Sequence, residues 1–323
     1  MLRAHTSGQI VNLANYPPQP AMTISGPHKL TEQGPIGLLA GWGRYPLLVA
    51  QALKHSGHRV CCLGIKDHAD PALADLCDDF QWTGIAKTGK QIRYFQRRHV
   101  LHATMAGKLF KHRLLFHSGH WIRHLPDWHC VRKVVIPHFI TRSKNCNDDD
   151  FMLTAVNMFA DGGITFGPAT DYAPELLVKP GPLSGSRLTE DQRQDVQFGW
   201  RVAKQMGQLD IGQTVAVKNR VVLAVEAIEG TDACIQRAGE LSNRGNFTLV
   251  KVAKPNQDMR FDVPTIGIGT IEALIAAGGR VLAVEAGKTI IIDEPQVAEI
   301  AQEHGLAVIA IHEDHQGVCL DAA

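Results

Sequence analysis

Short apolar runs alternate with amphipathic segments along the chain, and glycine-containing turns separate them. Ile36 to Ala40 is an apolar run, Pro46 to Lys54 has its apolar residues at helical spacing, and Arg59 to Gly64 is a second apolar run. Apolar runs of this length are typical of buried strands, whereas apolar positions three and four residues apart are typical of helices. The order strand, helix, strand predicts the opening βαβ unit of a Rossmann-like domain.

The second half of the chain begins differently, with a long helical pattern. It runs from Thr189 to Met206, with a threonine as candidate N-cap and acidic residues in the first turn. Thr214 to Val217 and Val221 to Ala227 are apolar runs joined by a polar turn, which predicts a hairpin. The pentapeptide Leu-Ala-Val-Glu-Ala occurs at Leu223 to Ala227 and again at Leu282 to Ala286. We expect both copies to be buried strands that end at one edge of a sheet.

A stretch rich in proline, glycine and serine separates the two halves. It lies between about Pro174 and Leu188, and its composition predicts a linker. We therefore predict an α/β protein with a Rossmann-like N-terminal domain and a smaller mixed α/β C-terminal domain. The predicted divisions are a flexible extension at residues 1–34, a first domain at 35–177 and a second at 186–323. The active site is expected in the cleft between the two domains.

Composition limits the classes of function. The chain has 323 residues, of which 45% are hydrophobic and 20% charged, as is ordinary for a globular protein. A formal net charge of +1 gives no general attraction for nucleic acid, so no such partner is expected. The opening segment lacks the apolar core of a signal peptide, and no run reaches the ~18 apolar residues of a membrane span, so we expect a cytoplasmic protein. The seven cysteines include no C-x-x-C pair, which favours reduced, mostly buried thiols.

Candidate chemistry is concentrated between Val221 and Asp293. Glu229-Gly230-Thr231-Asp232 interrupts an apolar run just before an amphipathic segment, so a strand, a tight turn and a helix are expected. Thr231 or Asp232 can cap that helix, because both side chains accept hydrogen bonds from first-turn amides. The alternative is functional, since α/β proteins bind phosphates at such a turn, and a carboxylate placed there can hold the accompanying metal.

A second group of polar residues follows a later apolar run. Cations and carboxylates this close together suit a divalent metal and a diphosphate, and the alternative is a surface loop with its own ion pairs. The group consists of Lys254, Gln257, Asp258, Arg260 and Asp262.

Several of these segments carry a resemblance to a known family. EGTDACIQRAG, KPNQDMRFDVPTIG with TIEALIAAGG, VLAVEAG and the upstream LDIGQTVAV resemble the UDP-2,3-diacylglucosamine pyrophosphatases of the LpxI family. The resemblance extends from Pro35 to Asp293 and is densest from about Leu209 onward. That family cleaves a lipid-linked sugar nucleotide in lipid A synthesis. The resemblance implies metal-assisted attack of water on a diphosphate, giving UMP and an acylated sugar 1-phosphate, with Mg²⁺ or Mn²⁺ as cofactor.

The resemblance also implies roles for individual residues. Asp232 is the expected metal ligand or water activator, and Lys254 and Arg260 are expected to stabilise the leaving phosphate. Asp258 and Asp262 are expected as further metal ligands or as carboxylates that orient those cations. The first domain would bind the nucleotide sugar, and the expected substrate-binding residues of the chain are Gly41, Gly43, Gly89, Lys90, Gly107, Lys108, Gln213, Thr231 and Gln257.

Other functions stay open from the sequence. A hydrolase of another nucleotide sugar and a binding protein without turnover both fit the same residues. A nicotinamide dehydrogenase is less favoured, because Pro46 replaces the third glycine of G-x-G-x-x-G and no acidic residue ends the second strand. Peripheral contact with the inner membrane and homo-oligomer formation are open as well.

A histidine-rich stretch has two interpretations. His117, His120 and His124 have helical spacing that zinc ligands can use, but Gly119 and Pro126 interrupt a regular helix. We favour a surface that contacts lipid or a second subunit, because tryptophans are interleaved with the histidines. The full set of histidines is His112, His117, His120, His124 and His129.

Overall fold

The computed structural model describes residues 34–108, 124–141, 148–185, 187–243, 245–255, 257–314 and 317–319. The extension predicted at residues 1–34 therefore lies outside the described residues except for its last position, as do His112, His117 and His120.

The first domain is built on a five-stranded sheet in which all strands are parallel. The strand order is β3-β2-β1-β4-β5. The strands are β1 (Ile36–Ala40), β2 (Val60–Ile65), β3 (Asp79–Thr83), β4 (His102–Ala106) and β5 (Thr165–Phe166). The α-helices are α1 (Tyr45–His55), α2 (Leu73–Leu76), α3 (Thr88–Gln96), α4 (Trp128–Cys130), α5 (Asp148–Asp161) and α6 (Ala169–Tyr172), with a π-helical segment Val131–Ile140 after α4 and a 3-10 turn Pro174–Leu176 after α6.

Both faces of this sheet are covered, as its continuous apolar strands require. Leu38 of β1 packs with Val49 and Leu53 of α1 on one face. Its neighbour Leu39 points the opposite way and packs against the cluster that contains Phe95 and Phe159. The predicted βαβ start is thus confirmed, and the strand order is that of a Rossmann-like sheet.

The chain reverses its direction across the sheet between β1 and β4. From β1 it moves outward to β2 and β3, and then crosses back to β4 on the other side of β1. In open α/β sheets, ligands bind outside the carboxyl ends of the strands at such a switch point. The loops after Ala40 and Ala106 are therefore the places where this domain offers a ligand site.

The second domain contains a mixed sheet with strand order β14-β13-β11-β9-β7-β8, and β6 pairs with β13. Its strands are β6 (Gly181–Ser184), β7 (Thr214–Lys218), β8 (Val221–Val225), β9 (Thr248–Lys251), β11 (Val281–Glu285), β13 (Ala307–Asp314) and β14 (Gly317–Cys319). A separate two-stranded sheet consists of β10 (Thr265–Ile266) and β12 (Ile290–Ile291). The helices are α7 (Glu190–Gln208), α8 (Thr231–Ser242), α9 (Ile268–Ala276) and α10 (Glu294–Glu303).

The hairpin between β7 and β8 fixes which strand ends meet. Asn219 and Arg220 have φ angles of 51° and 60°, as a tight two-residue hairpin turn requires. Because β8 and β9 both run antiparallel to β7, they are parallel to each other and to β11. The carboxyl ends of β8, β9 and β11 therefore lie at the same edge as the amino end of β7.

The two copies of the repeated pentapeptide end at this one edge, as predicted, but only the second copy lies on a strand that is buried throughout. All residues of β11 are buried, whereas Val221 at the start of β8 is 61% exposed. The prediction of two buried strands was wrong for β8. The reason is its place at the end of the strand order, where β7 is its sheet neighbour.

The two domains share parts of their cores. Ile290 of the two-stranded sheet packs into the first-domain cluster around Leu38, and Leu177 bridges to Ile290. The next residue, Val178, lies in the core of the second domain. The stretch predicted as a linker thus contains the strand β6 and contributes to both cores.

Two other expectations concern the chain as a whole. Among the helices of the described residues, none combines the length and apolar composition that crossing a bilayer requires. Five cysteines are buried and unbridged, as predicted: Cys61, Cys62, Cys77, Cys130 and Cys234.

A pair of glycines holds the two loops at the switch point together. Trp42 and Lys108 exchange backbone hydrogen bonds of 2.9 Å in both directions, and the glycine before each lies against the opposite loop. A Cβ on Gly107 would lie 2.8 Å from the carbonyl carbon of Gly41, from Pro46 Cγ and from Trp42 O. Gly107 also has a φ of +96°.

We expect Gly107→Ala to destabilise the protein by roughly 2–5 kcal/mol, because left-handed strain and overpacking add. Gly43→Ala is the matched control, since its φ is +103° and nothing lies within 4 Å of the added Cβ. That variant should lose only the roughly 1–2 kcal/mol of left-handed strain. Urea unfolding of both variants measures the difference, and equal losses would contradict the close contact of the two loops.

Candidate active site

A chain of hydrogen bonds connects three polar side chains at the carboxyl edge of the second sheet. Lys251 is the last residue of β9, Glu226 follows β8, and Thr231 is the first residue of α8. The Lys251 Nζ donates to Thr231 Oγ1 at 2.8 Å, and Thr231 Oγ1 donates to Glu226 Oε1 at 2.6 Å. These side chains meet because parallel strands end at the same edge and the following helix begins there.

The ammonium of Lys251 is buried, with 6% of the residue exposed. Burial lowers the pKa of Lys251, because the charged form loses its hydration. Glu226, Asp262 and Asp232 oppose this shift, whereas the ammonium of Lys108 adds to it. Lys108 comes from the loop after β4 of the first domain, so residues of both domains act on one charge.

Asp232 lies in the first turn of α8 without capping it. The N-cap is Gly230, with a φ of 85°, and no side chain makes a capping hydrogen bond there. Neither Thr231 nor Asp232 is the cap, so that interpretation of the sequence was wrong. The physical reason is that the Thr231 hydroxyl is taken up by Glu226 and Lys251. Asp232 is therefore placed at the positive end of the helix dipole, where a carboxylate is favoured.

Part of the loop after β9 forms its own ion pairs. The Lys254 Nζ lies 2.6 Å from Asp210 Oδ1, and the Lys254 amide donates to Gln257 Oε1 at 2.7 Å. Arg260 Nε donates to Asp258 Oδ1 at 2.8 Å, and this partner raises the pKa of Arg260. The ion-paired loop, which was the alternative interpretation, thus describes Lys254, Asp258 and Arg260 in this structure.

The end of the same loop is fixed by the first domain. Phe261 packs against the first-domain cluster that includes Leu39 and Met105. Val263 packs against the cluster on the opposite face of that sheet. Asp262 lies between these two contacts and acts on Lys251, so its position depends on both domains.

The buried polar atoms near this edge without a hydrogen-bond partner among the described residues include Glu226 Oε2, Gln213 Oε1, Thr214 Oγ1 and Gln257 Nε2. Gln213 lies beside β9, because its carbonyl accepts from the Val252 amide at 3.0 Å. Buried polar atoms are normally satisfied, so unpaired ones on neighbouring segments leave hydrogen-bonding capacity for a polar ligand or for water.

Gly212 is held in place by the backbone beside this site. A Cβ on Gly212 would overlap the carbonyl oxygen of Glu226. Only glycine fits such a close approach of two backbones. The Gly212-Gln213 bend is therefore a tight turn that also delivers Gln213 to the carboxyl edge.

The predicted substrate-binding residues of the first domain divide into two groups. Gly41, Gly43, Gly107 and Lys108 lie in the two loops at the switch point. Gly89 and Lys90 are instead inside the first turn of α3, not in a turn before it.

A side chain of the protein already occupies the start of α3. The Lys90 amide donates to Asp127 Oδ2 at 3.1 Å, and a Cβ on Gly89 would lie 3.1 Å from the same oxygen. The Asp127 carboxylate thus takes the place that a phosphate would take at this helix N-terminus. No described contact brings Gly89 or Lys90 to the other site residues.

Two of the clustered histidines are described. His124 Nε2 lies 3.4 Å from Asp67 Oδ2, and its Nδ1 accepts from the Ile85 amide at 3.3 Å. Burial lowers the pKa of His124, although Asp67 opposes the shift. His129 has a buried Nε2 with no partner among the described residues.

The carboxylates at the edge suit a metal that is also held by phosphate. Among the described residues, no group of three or more His, Cys, Asp or Glu side chains is placed to hold an ion. Asp258 is engaged by Arg260, whereas the charges of Asp232 and Asp262 both raise the pKa of Lys251. Mg²⁺ in phosphate-handling proteins is bound through one or two carboxylates plus substrate phosphates and water. The residues present fit that kind of site.

Comparison with protein families decides the identity of the fold. The family model described as the LpxI N-terminal domain matches residues 35–176, and the LpxI C-terminal domain matches residues 179–309. The chain belongs to the LpxI family. It is 28% identical over 288 residues to the UDP-2,3-diacylglucosamine pyrophosphatase LpxI of Caulobacter vibrioides, a match that covers 85% of this chain and 97% of that protein.

The sequence patterns did not lead us to select Lys251 or Glu226 of this LpxI family member. Each of them nevertheless has a sequence feature that could have identified it. Lys251 is a charged residue inside the apolar run Leu249 to Ala253, and Glu226 is the glutamate of the first repeated pentapeptide. Neither signal reveals the hydrogen bonds to Thr231, because these join three segments that are remote in sequence.

The glutamate of the second pentapeptide has a different task. Glu285 Oε2 accepts from Lys204 Nζ at 2.6 Å and from the Ala253 amide at 2.8 Å, while Lys288 lies 3.0 Å from Oε1. Burial lowers the pKa of Lys204, and Glu285 opposes that shift. Glu285 thus fixes the start of the loop that continues into Lys254.

We expect Phe261→Ala to destabilise the protein by roughly 1–3 kcal/mol, because the half-buried ring fills space against the first-domain cluster. Ile228→Ala is the control, since Ile228 is fully exposed and its truncation should stay within about 0.5 kcal/mol of wild type. Urea unfolding measures both. A Phe261→Ala protein as stable as Ile228→Ala would show that the loop does not depend on the first domain.

Proposed function

We propose that this protein hydrolyses the diphosphate of UDP-2,3-diacylglucosamine to UMP and 2,3-diacylglucosamine 1-phosphate in lipid A synthesis. Membership of the LpxI family and the activity named for the Caulobacter vibrioides relative support the proposal. The structural observation that carries it is the buried hydrogen-bond chain from Lys251 through Thr231 to Glu226 at the carboxyl edge. Lys108 of the first domain lowers the pKa of the Lys251 ammonium, whereas Asp262 and Asp232 of the second domain raise it. Cations and carboxylates from two domains around one buried point suit a diphosphate with a divalent metal.

The nucleotide sugar would bind across the switch point of the first domain. Gly41, Gly43 and Gly107 keep side chains out of the two loops, so the backbone can come close to a phosphate. Lys108 would contact the diphosphate as a point charge. The unpaired atoms of Gln213 and Gln257 would hydrogen-bond the polar parts of the same ligand.

Asp232 and Asp262 would hold Mg²⁺ or Mn²⁺, with phosphate oxygens completing the coordination. The bound ion would supply neutralisation of the negative charge that otherwise repels an anionic nucleophile. Asp232 would also accept a proton from the attacking water. The water oxygen bonds to one phosphorus as the bridging oxygen leaves on the other phosphate.

Lys254 and Arg260 would act on the leaving phosphate after exchanging their present partners. Lys254 now pairs with Asp210 on the exposed side of the loop, and Arg260 is held by Asp258. Asp258 thereby fits the role of a carboxylate that orients Arg260 better than that of a metal ligand. The acylated substrate is the proposed partner, and its two acyl chains would bring the protein into peripheral contact with the inner membrane.

We expect turnover to need a divalent cation. Protein treated with excess EDTA and then freed of it should release no UMP from UDP-2,3-diacylglucosamine, and added Mg²⁺ or Mn²⁺ should restore release. The physical reason is the accumulation of phosphate and carboxylate charge around Asp232 and Asp262. Full activity in excess EDTA would remove the metal from the mechanism. Non-acylated UDP-N-acetylglucosamine tested in parallel separates a broader nucleotide-sugar hydrolase, and tight binding without UMP release separates a binding protein.

We expect Asp232→Asn to lower kcat by a factor on the order of 100 or more while the protein stays folded. The substitution removes the charge and keeps the shape, and Asp232 caps no helix in this structure. Asp191→Asn is the matched control, because Asp191 holds the same second position in helix α7, away from the site. UMP release and thermal melting are measured on both variants. Near-normal turnover of folded Asp232→Asn would exclude Asp232 from the chemistry.

A further inference from the structure

Lys251 carries a buried charge that no carboxylate of the described residues neutralises directly. Its ammonium hydrogen-bonds the Thr231 hydroxyl at 2.8 Å, and no ion pair within 4.0 Å joins it to a described Asp or Glu. Taking an ammonium out of water without a direct counter-ion is strongly unfavourable. Most buried lysines avoid this state, as Lys204 does through its 2.6 Å contact with Glu285. The exception at Lys251 needs a reason.

The hydrogen-bond directions leave Lys251 with capacity for a ligand. A threonine hydroxyl has one proton, and that of Thr231 goes to Glu226 Oε1 at 2.6 Å. Thr231 can therefore accept from Lys251 but has no proton left for a phosphate oxygen. Of the three N–H groups of the ammonium, one is used by Thr231, and two can donate elsewhere. Thr231, predicted from the sequence as a substrate ligand, acts here as the support of Lys251.

The surroundings of Lys251 indicate an anion as the missing partner. Lys108 of the first domain disfavours the charge on Lys251, whereas Glu226, Asp262 and Asp232 favour it without forming a direct ion pair with it. Two ammonium groups that approach each other from separate domains repel, whereas an anion bound between them attracts both. Glu226 accepts the Thr231 proton through Oε1, and its Oε2 is buried without a partner among the described residues.

We propose that Lys251 contacts the diphosphate directly and, with Lys108, forms a two-lysine clamp that reaches it from both domains. Thr231 and Glu226 are positioning residues that hold the Lys251 ammonium at the carboxyl edge. This inference rests on the proposed function. The clamp stabilises the negative charge that grows on the phosphate oxygens as the bridging bond breaks, and the fixed ammonium needs no rearrangement at that moment.

Lys251→Met tests the clamp, because methionine keeps an unbranched side chain and removes the charge. We expect kcat/KM for UDP-2,3-diacylglucosamine to fall by a factor on the order of 100, as removal of a preorganised donor at a reacting oxyanion does. The melting temperature should be unchanged or higher, since an unpaired buried charge is replaced by an apolar group. Lys218→Met is the matched control at the opposite end of the neighbouring strand, where the ammonium donates to the carbonyls of Ser242 and Gly245. Its kcat/KM should stay near wild type.

Binding to a form that does not turn over separates this inference from the proposed function. In the Asp232→Asn background, adding Lys251→Met should raise the Kd for UDP-2,3-diacylglucosamine about tenfold or more, measured by calorimetry. If wild type cleaves the substrate and folded Lys251→Met cleaves and binds it equally well, the clamp is overturned and the function stands. If wild type neither binds nor cleaves it, the proposed function has failed, and the clamp with it.

The pH profile and the supporting residues give a second readout. The ammonium must be charged to hold the diphosphate. Its pKa is lowered by burial and by Lys108, whereas Glu226, Asp262 and Asp232 raise it. The kcat/KM of wild type should therefore decline on the alkaline side at a pH below the ordinary lysine range, and Lys251→Met should lack that decline. Thr231→Val should lose activity that Thr231→Ser regains, because serine restores the hydroxyl. An unchanged alkaline limb in Lys251→Met, or equal activity of the Val and Ser variants, would contradict the clamp.

Discussion

Burial of one ammonium group constrains the arrangement of the whole active-site edge. Lys251 ends β9 inside the protein, so its charge must be supported by neighbours that the fold brings to the same place. Thr231 and Glu226 provide that support from α8 and from the end of β8. The parallel direction of β8 and β9 makes this meeting geometrically necessary, and the hairpin turn at Asn219 and Arg220 creates that direction.

Hydrophobic side chains of the second domain couple it to the first domain. Phe261 and Val263 pack on opposite faces of the first sheet, and Ile290 lies within its core. Asp262 is held between the first two contacts. Any movement of one domain relative to the other would therefore change the distance between Asp262 and the residues on β8 and β9. Arg44 of the first domain also pairs with Asp293 of the second at 2.9 Å, close to this contact.

The two copies of the repeated pentapeptide have the same sequence but make different contacts. Both glutamates end strands at the same edge, yet Glu226 supports Lys251 through Thr231, whereas Glu285 binds Lys204 and the Ala253 amide. The difference arises from strand position. β11 lies in the middle of the sheet and faces the loop after its neighbour β9, while β8 lies at the end of the order beside helix α8.

The sequence by itself determined the α/β class, the Rossmann-like start, the hairpin and the edge at which the strands end, because these follow from local periodicity and turn chemistry. Residue type also made Asp232 and Asp262 candidate metal ligands, and that role stays a prediction. Only the tertiary structure decided that Asp258 pairs with Arg260, that Asp127 occupies the start of α3, and that Lys251 is a buried charge. Each of these depends on which remote segments share a strand edge or a helix end. Pairing and burial depend on which segments lie close together in space. The local order of residues along the chain does not specify that proximity.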